Sequence, residues 1–314
     1  MRAIAIKEFG GADKLRAMDL PRPKAGKGEV LVRVVAAGVN PVDWKIREGY
    51  LKEMLPHAFP LVPGWDVAGV VEELGEGVSR FRRGEKVWAY ARKATVQWGT
   101  YAEYVAVAES SASLMPVKLL FEEAATVPLA ALTAYQALQK GGVRSGGTVL
   151  VHAAAGGVGH FAVQLAKNAG ARVLGTAGTA NQEFVLSLGA AETIDYTRED
   201  FREAVRRTCP KGVDLVLDAV GGDTLAASFE VVRPGGKLVG IVDRPDAQAA
   251  EKRGVHASYV FVEPNAEQLE QLAALVDRKK LRTHVQKIFP LFEAAEAQGV
   301  SETGHVRGKL ALAL

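Results

Sequence analysis

The stretch that decides the fold is "LVHAAAGGVGHFAVQLAKNAGARVLGTAG", residues 150–178. It predicts a β-strand, a turn of almost bare backbone, an amphipathic helix and a second strand. The turn keeps the spacing of a G-x-G-x-x-G motif as Ala154-x-Gly156-x-x-Gly159. Such a turn offers backbone N–H groups and the positive end of a helix dipole to a phosphate, and its last glycine lets helix and strand pack closely. The sequence therefore predicts a dinucleotide site here, with a tight turn lacking a ligand as the alternative.

The chain around this stretch repeats its alternation of strands and helices. Six apolar runs read as parallel strands covered on both faces: "TVLVHAA", "ARVLGTA", "ETIDY", "VDLVLDAV", "GKLVGIV" and "ASYVFVE". The first connecting helix is expected to bury one stripe, and the last helix to begin at Asn265, three residues before Gln268. The pattern predicts an α/β fold with a Rossmann-type doubly wound parallel sheet.

The first third of the chain has a different pattern. Up to about Met115 the apolar runs are short, rich in β-formers and separated by glycine-containing turns, which predicts a mostly antiparallel, barrel-like β domain. The tail from 285 onward reads strand, helix, loop, strand and is expected to rejoin that domain. We therefore predict a β domain at 1–122 completed by 288–314, a cofactor domain at 123–287, and a cleft between the two.

Composition narrows the class of protein. The 314 residues include 39 basic and 36 acidic side chains, which give a net charge of +3 without a block of like charge. This argues against a nucleic-acid or membrane partner. No signal-peptide pattern and no apolar run of about 18 residues is present. Cys209 is the only cysteine, so neither an internal disulfide nor a cysteine zinc cluster can form, and a cytoplasmic protein is expected.

The end of the second strand bears on the choice of cofactor. An NAD site usually places an acid about 20 residues after the glycine turn, whereas this chain has no acid there before Glu183. Thr176, Asn181 and Tyr196 could instead donate to a 2′-phosphate, although no arginine accompanies them at the strand end. We therefore expect NADPH rather than NADH; the alternative is that these polar residues only cap a helix.

Several motifs, taken in order, resemble one family. They are "AAGVNPVDWKIREG", "PGWDVAGVV", "GTYAEYVAV", "LTAYQAL", "AAAGGVG", "LGAAETIDY" and "GHVRGKLAL". Together they resemble the zinc-independent quinone oxidoreductases of the medium-chain dehydrogenase/reductase superfamily. The resemblance implies a GroES-like catalytic domain, a Rossmann-type cofactor domain, NADPH dependence and the reduction of quinones or α,β-unsaturated carbonyls. It also implies a dimer or a tetramer.

The chain departs from the zinc alcohol dehydrogenases of that superfamily. Asn40 and Trp65 stand where the zinc branch would have a cysteine and a histidine, and neither side chain is a usual ligand of Zn²⁺. We therefore expect no catalytic metal. Without a metal to polarise it, a simple alcohol becomes a poor substrate, whereas a conjugated quinone or enone accepts hydride readily.

The resemblance also implies site residues. On the catalytic side Asn40 is expected to orient substrate or ribose hydroxyls, Asp43 to hold its loop, and Tyr50 to donate to the acceptor. For Asn40 the alternative is a turn residue before Pro41, and for Tyr50 it is simple packing. The expected cofactor contacts are Thr133, Gly156, Gly157, Val158, Thr176, Asn181, Tyr196, Val220, Ile241, Phe261 and Lys309.

Three functions remain open from the sequence. The leading hypothesis is an NADPH-dependent quinone or enone reductase. The others are an enoyl-thioester reductase of the same superfamily and a non-catalytic NADPH-binding protein. The strand "ASYVFVE" is expected to lie at a sheet edge, which predicts a homodimer formed through that edge.

Overall fold

The computed structural model describes residues 1–314 and divides into two units. Its strands are β1 (Arg2–Ala5), β2 (Arg16–Asp19), β3 (Glu29–Val39), β4 (His57–Val62), β5 (Asp66–Leu74), β6 (Lys86–Tyr90), β7 (Val96–Trp98), β8 (Tyr104–Ala108), β9 (Ala112–Leu114), β10 (Thr148–Val151), β11 (Arg172–Ala177), β12 (Glu192–Asp195), β13 (Val213–Asp218), β14 (Val232–Gly240), β15 (His256–Tyr259), β16 (Val285–Pro290) and β17 (Lys309–Ala313). Its α-helices are α1 (Pro41–Arg47), α2 (Phe121–Ala124), α3 (Pro128–Gly141), α4 (Gly159–Asn168), α5 (Gln182–Leu188), α6 (Phe201–Thr208), α7 (Gly222–Ser228), α8 (Ala247–Arg253), α9 (Ala266–Asp277) and α10 (Ala294–Glu302).

The unit formed by Thr133–Glu263 contains a six-stranded parallel sheet. Its strand order is β12-β11-β10-β13-β14-β15, the doubly wound order in which the first strand lies beside the fourth. All six predicted strands are present, so the expected Rossmann-type sheet is confirmed. The stretch quoted first supplies β10, α4 and β11. The glycine turn therefore follows β10 at the point where the strand order reverses, which is where ligands bind in open α/β sheets.

Helix α4 is buried more completely than its sequence pattern predicts. The expectation was a single stripe, but every residue from Gly159 to Ala166 is buried. The polar side chains on this helix reach back to main-chain carbonyls of the preceding turn. His160 Nδ1 lies 2.9 Å from the Gly156 oxygen, and Gln164 Nε2 donates to the His160 oxygen at 2.8 Å. A polar side chain bonded in this way is tolerated on a buried face.

The other unit, Met1–Leu132 with Pro264–Leu314, contains a seven-stranded sheet in the order β16-β17-β3-β5-β6-β9, with β8 also on β3. All of its pairings except β16 with β17 are antiparallel, in agreement with the expected GroES-like β domain. The tail rejoins this domain as predicted, because β17 pairs with β3. Residues 123–132 and 264–287 also group with this unit, whereas the sequence-based boundaries assign them to the cofactor domain.

Helix α9 begins where the sequence predicts. The Asn265 side chain caps α9 by accepting from the Gln268 N–H at 2.9 Å, at the predicted position. No helix of the chain combines the length and the apolar character that a membrane span requires.

Candidate functional site

The glycine turn connects β10 to α4 with an unusual backbone. Ala153 adopts a positive φ of 51°, which is uncommon for a residue with a Cβ and occurs mostly where the surrounding structure imposes it. The Ala153 oxygen accepts from the Gly156 N–H at 2.9 Å, and the Ala154 N–H donates to the Thr176 oxygen at 2.9 Å. These bonds fix the turn to itself and to β11.

The turn leaves main-chain donors without a protein acceptor. The N–H groups of Gly157 and Val158 donate to no protein atom, although both residues are half-buried just before α4. A Cβ on Gly159 would lie 2.1 Å from the Ala153 oxygen, so only glycine allows this close approach of helix and strand. Free N–H groups at the start of a helix fit the pyrophosphate of a dinucleotide.

A buried histidine, His152, precedes the turn and bonds to neighbouring elements. His152 Nδ1 lies 3.1 Å from the Thr176 hydroxyl, and Nε2 lies 3.0 Å from the Ser228 hydroxyl on α7. The ring also packs edge-on against Phe201, with 4.7 Å between the ring centres. Burial lowers the pKa of His152 to about 3, so the ring is neutral at physiological pH. His152 therefore joins the turn to β11 and α7.

The neutral histidine predicts a pH dependence of stability. The unfolded chain binds a proton near the ordinary histidine pKa of 6.5, whereas the folded chain resists it down to about pH 3. Stability is therefore lost as the pH falls from about 6.5, by up to about 1.4 kcal/mol per pH unit. We expect the free energy of urea unfolding of the wild type to fall toward acid pH relative to that of His152→Gln. Parallel curves for the two proteins between pH 7.5 and 4.5 would contradict this assignment.

The structure places Thr176 differently from the prediction. Its hydroxyl is buried and bonded to His152 and to the Ala153 N–H at 3.2 Å, so it supports the turn instead of facing an adenosine phosphate. Tyr196 is exposed after β12, and its hydroxyl lies 3.5 Å from the position of a Cβ on Gly178 at the end of β11. Asn181 lies just beyond, immediately before α5. Tyr196 and Asn181 thus remain predicted phosphate contacts.

An acid that the sequence pattern did not predict lies at this end of the sheet. Asp195 ends β12 beside Ala177 of β11, and its carboxylate accepts from the Thr179 hydroxyl at 2.5 Å and the Thr197 hydroxyl at 2.6 Å. These hydroxyl bonds lower the pKa of Asp195, so it is ionised. The Arg198 guanidinium lies 3.6 Å from the same carboxylate, which places a cation close to the end of this strand.

The remaining cofactor candidates follow the carboxyl ends of other strands. Val220 is exposed after β13, and its N–H donates to the Asp218 carboxylate at 3.3 Å. Ile241 follows β14 and gives its N–H to the Asp218 main-chain oxygen at 3.1 Å, so only its carbonyl is available to a ligand. Phe261 lies half-buried beyond β15, and Thr133 is buried on α3.

In the other unit, Asn40 lies where β3 ends and α1 begins. Its main-chain N–H donates to Asp43 Oδ2 at 2.8 Å, and the same oxygen accepts from the Tyr101 hydroxyl at 2.9 Å. Asp43 is fully buried, so it holds the turn of Asn40, as predicted for the loop, instead of facing a substrate. The side chain of Asn40 makes no capping hydrogen bond to the start of α1. Its amide nitrogen instead donates to Asp66 Oδ2 at 2.9 Å.

Lys309 completes this buried cluster. Its ammonium donates to the Val39 oxygen at 2.8 Å and to Asn40 Oδ1 in a very short bond. Lys309, which is expected to contact the cofactor, is only 3% exposed and directs its ammonium at protein oxygens. Strand β17 pairs with β3 so that Leu310 lies opposite Val39, and Lys309 is therefore beside the end of β3, where Asn40 follows.

Burial shifts the ionisation of every charged group in the cluster. It raises the pKa of Asp43 to about 7 and that of Asp66 to about 6, and the nearby ammonium of Lys309 opposes both shifts. It also lowers the pKa of Lys309, against the attraction of the two carboxylates, and raises that of Tyr101. Burial therefore brings the pKa values of the two carboxyl groups, Asp43 and Asp66, close to neutral pH.

Tyr50 differs from the other catalytic candidates because it lies in solvent, with 67% of its surface exposed. Its ring contacts Trp44 edge-on, with 5.9 Å between the centres. The Glu48 carboxylate, which accepts a hydrogen bond from the phenol, raises the pKa of Tyr50.

Trp65 is buried beside Tyr90, as a core tryptophan would be.

Asp66, Tyr101 and His152 were missed by the sequence analysis. One signal was available, because Asp66 directly precedes the apolar run of residues 67–71 in "PGWDVAGVV", and a buried carboxylate requires a partner. No group of three or more histidine, cysteine, aspartate or glutamate side chains in the structure is arranged to hold a metal ion.

Comparison with known proteins agrees with this geometry. A family model described as an alcohol dehydrogenase GroES-like domain matches residues 26–118, and one described as a zinc-binding dehydrogenase matches residues 188–312. The chloroplast envelope quinone oxidoreductase homolog of Arabidopsis thaliana is 36% identical over 99% of this chain and 97% of its own length. The NADPH-dependent alkenal/one oxidoreductase of the same plant is 35% identical over 99% of this chain and 78% of its length. The crystal structure of Escherichia coli quinone oxidoreductase complexed with NADPH superposes with a TM-score of 0.90, at 28% identity and full coverage of both chains.

Proposed function

The chain belongs to the quinone oxidoreductase family of the medium-chain dehydrogenase/reductase superfamily, and we propose that it reduces quinones and α,β-unsaturated carbonyl compounds with NADPH. The observation that carries this proposal is the turn at Gly157 and Val158, whose free N–H groups precede a helix. The turn fits a pyrophosphate, and the similarity to NADPH-dependent enzymes supports the choice of dinucleotide.

Bound NADPH supplies the hydride in this chemistry. The contribution of the protein is to bind, to orient and to stabilise charge. The turn at Gly157 and Val158 holds the pyrophosphate, with His152 keeping the turn in shape. In the other unit Asn40 offers a side-chain amide in a buried polar cluster, and Asp43 and Tyr101 keep its backbone in place.

The test measures the loss of NADPH absorbance with three acceptors: a benzoquinone, an alkenal and an enoyl thioester. The reverse reaction, in which an alcohol reduces NADP⁺, is measured as a gain of NADPH absorbance. We expect turnover of the quinone and the alkenal, and none of the alcohol. Preference for the enoyl thioester would reassign the substrate class. No turnover of any acceptor by NADPH-saturated protein would identify a binding protein, and alcohol oxidation abolished by EDTA would reveal a metal enzyme.

We also propose a homodimer joined through strand β15. It is the edge strand of the six-stranded sheet and pairs only with β14, so its outer main-chain groups are available to a second copy. We expect light scattering to give twice the chain mass of 33.4 kDa, and Ala257→Pro in β15 to shift the protein toward the monomer. A wild-type mass of 33.4 kDa at micromolar concentration would contradict the proposal.

We propose that the protein works in the cytoplasm. The sequence supports this through its single thiol, Cys209, since a chain without a disulfide suits a reducing compartment. Immunoblots of cell fractions are expected to find it with the cytosolic markers; enrichment with an organelle would contradict the proposal.

A further inference from the structure

The side-chain amide of Asn40 is held at both ends by charged groups. Its oxygen accepts from the Lys309 ammonium, and its nitrogen donates to Asp66 Oδ2 at 2.9 Å. All three side chains are almost completely buried. The hydrogen bonds of the ammonium go to the oxygens of Val39 and Asn40, so the Asn40 amide bridges the cation and the carboxylate.

These two partners leave the amide one orientation. An ammonium can only donate a hydrogen bond, and an ionised carboxylate can only accept one. Rotating the Asn40 amide by half a turn would direct its NH₂ at Lys309 and its oxygen at Asp66, and both contacts would become repulsive. The observed orientation uses one of the two amide protons and leaves the other without a protein acceptor.

Each partner is itself anchored by the main chain of a different element. Asp66 Oδ1 accepts from the Leu129 N–H of α3 at 2.7 Å, and Lys309 donates to the Val39 oxygen at 2.8 Å. Asp43 accepts from the Asn40 N–H, which fixes the backbone of the same residue. The amide is therefore fixed in position before any ligand arrives, as a preorganised donor must be.

We propose that Lys309 and Asp66 are positioning residues that aim the second amide proton of Asn40 at the carbonyl oxygen of the acceptor. This inference rests on the proposed function. Negative charge develops on that oxygen when carbon receives the hydride, and the oxygen then takes a proton from water. The ammonium behind the amide oxygen polarises the amide and makes its N–H a stronger donor. The Asn40 amide, held by Lys309 and Asp66, then stabilises the oxyanion.

A double-mutant cycle tests the proposal with the full-length protein and the benzoquinone. Lys309→Met and Asp66→Asn are each made alone and in an Asn40→Ala background, and kcat, KM, the Kd of NADPH and the melting temperature are measured. We expect Asn40→Ala to lower kcat about 100-fold. Lys309→Met and Asp66→Asn, each made alone, should lower kcat about 10-fold to 100-fold. In the Asn40→Ala background, Lys309→Met and Asp66→Asn should each change kcat less than about threefold. The affinity for NADPH should be unchanged in all of these variants.

The control is Lys287→Met, which removes an exposed lysine from the neighbouring strand β16 and should leave kcat unchanged. A residue that only stabilises the fold would lower kcat equally in both backgrounds, and that result would overturn the proposal. Unchanged kcat in Asn40→Ala would also overturn it. If Lys309→Met does not fold, the double-mutant cycle of Asp66→Asn with Asn40→Ala tests the proposal by itself. A wild type that reduces no acceptor would instead refute the proposed function.

Discussion

Gly159→Ala is expected to abolish measurable NADPH binding, with at least about a 100-fold rise in Kd. The added Cβ would lie 2.1 Å from the Ala153 oxygen and 2.8 Å from the Ala154 Cα, and both are main-chain atoms. Helix α4 must therefore move away from the turn, and the free N–H groups of Gly157 and Val158 move with it. Isothermal titration calorimetry with NADPH measures the loss, and circular dichroism at 222 nm reports whether the fold persists.

The matched control is Gly299→Ala in helix α10, where an added Cβ meets no atom within 4 Å. Alanine is the better helix former by about 0.5–1 kcal/mol, so this variant should be slightly more stable and bind NADPH normally. Normal NADPH affinity in Gly159→Ala would show that the turn does not hold the pyrophosphate.

Arg47→Met is expected to lower the free energy of unfolding by about 3 kcal/mol. Arg47 is fully buried and donates to the Gly10 oxygen at 3.0 Å, Gln298 at 2.9 Å, Glu48 at 2.6 Å and Glu302 at 2.8 Å. Its removal leaves two carboxylates and an amide without this cation and disconnects α1 from α10. The loss falls at the low end for a buried pair because both glutamates are partly exposed and can be hydrated.

Urea unfolding of Arg47→Met gives the measurement, and Arg33→Met supplies the comparison. Arg33 lies on β3 with its side chain exposed and without an ion pair, so its replacement should change stability by less than about 0.5 kcal/mol. Equal midpoints for the two variants would contradict a stabilising role of Arg47. Because α1 begins directly after Asn40, we also expect Arg47→Met to lower kcat.

The doubly wound sheet could be predicted from the sequence because its central strands β10, β11 and β13 are mostly apolar and buried and because its strands alternate with helices. The shorter strands of the β domain were harder to predict from the sequence. Strand β4 contains Pro60, which argues against a strand in a sequence, and its pairing with β7 depends on residues far along the chain. Helix α4 appeared amphipathic, yet Gly159 to Ala166 are all buried, since His160 and Gln164 bond to main-chain oxygens that periodicity does not reveal.

The residues alone predicted the part of the site whose function resides in the backbone, whereas Asn40 and Asp43 were expected only from the family resemblance. The turn around Gly156 was identified because glycine spacing reports main-chain geometry directly. The cluster around Asn40 depends instead on tertiary pairing: Lys309 is 269 residues away in sequence and reaches Asn40 only because β17 lies on β3. Thr176 was assigned to a phosphate because nothing in the sequence places its hydroxyl against His152. Side-chain direction at a strand end is decided by such partners.

The most direct test of the account follows deuterium from NADPH labelled at C4 into an enone. The two C4 positions are labelled separately, and the reduced product is analysed by mass spectrometry and NMR. We predict that one of the two labelled cofactors delivers a single deuterium to the β-carbon of the product. NADPH that binds without being consumed, or a product free of deuterium from both cofactors, would contradict the central claim.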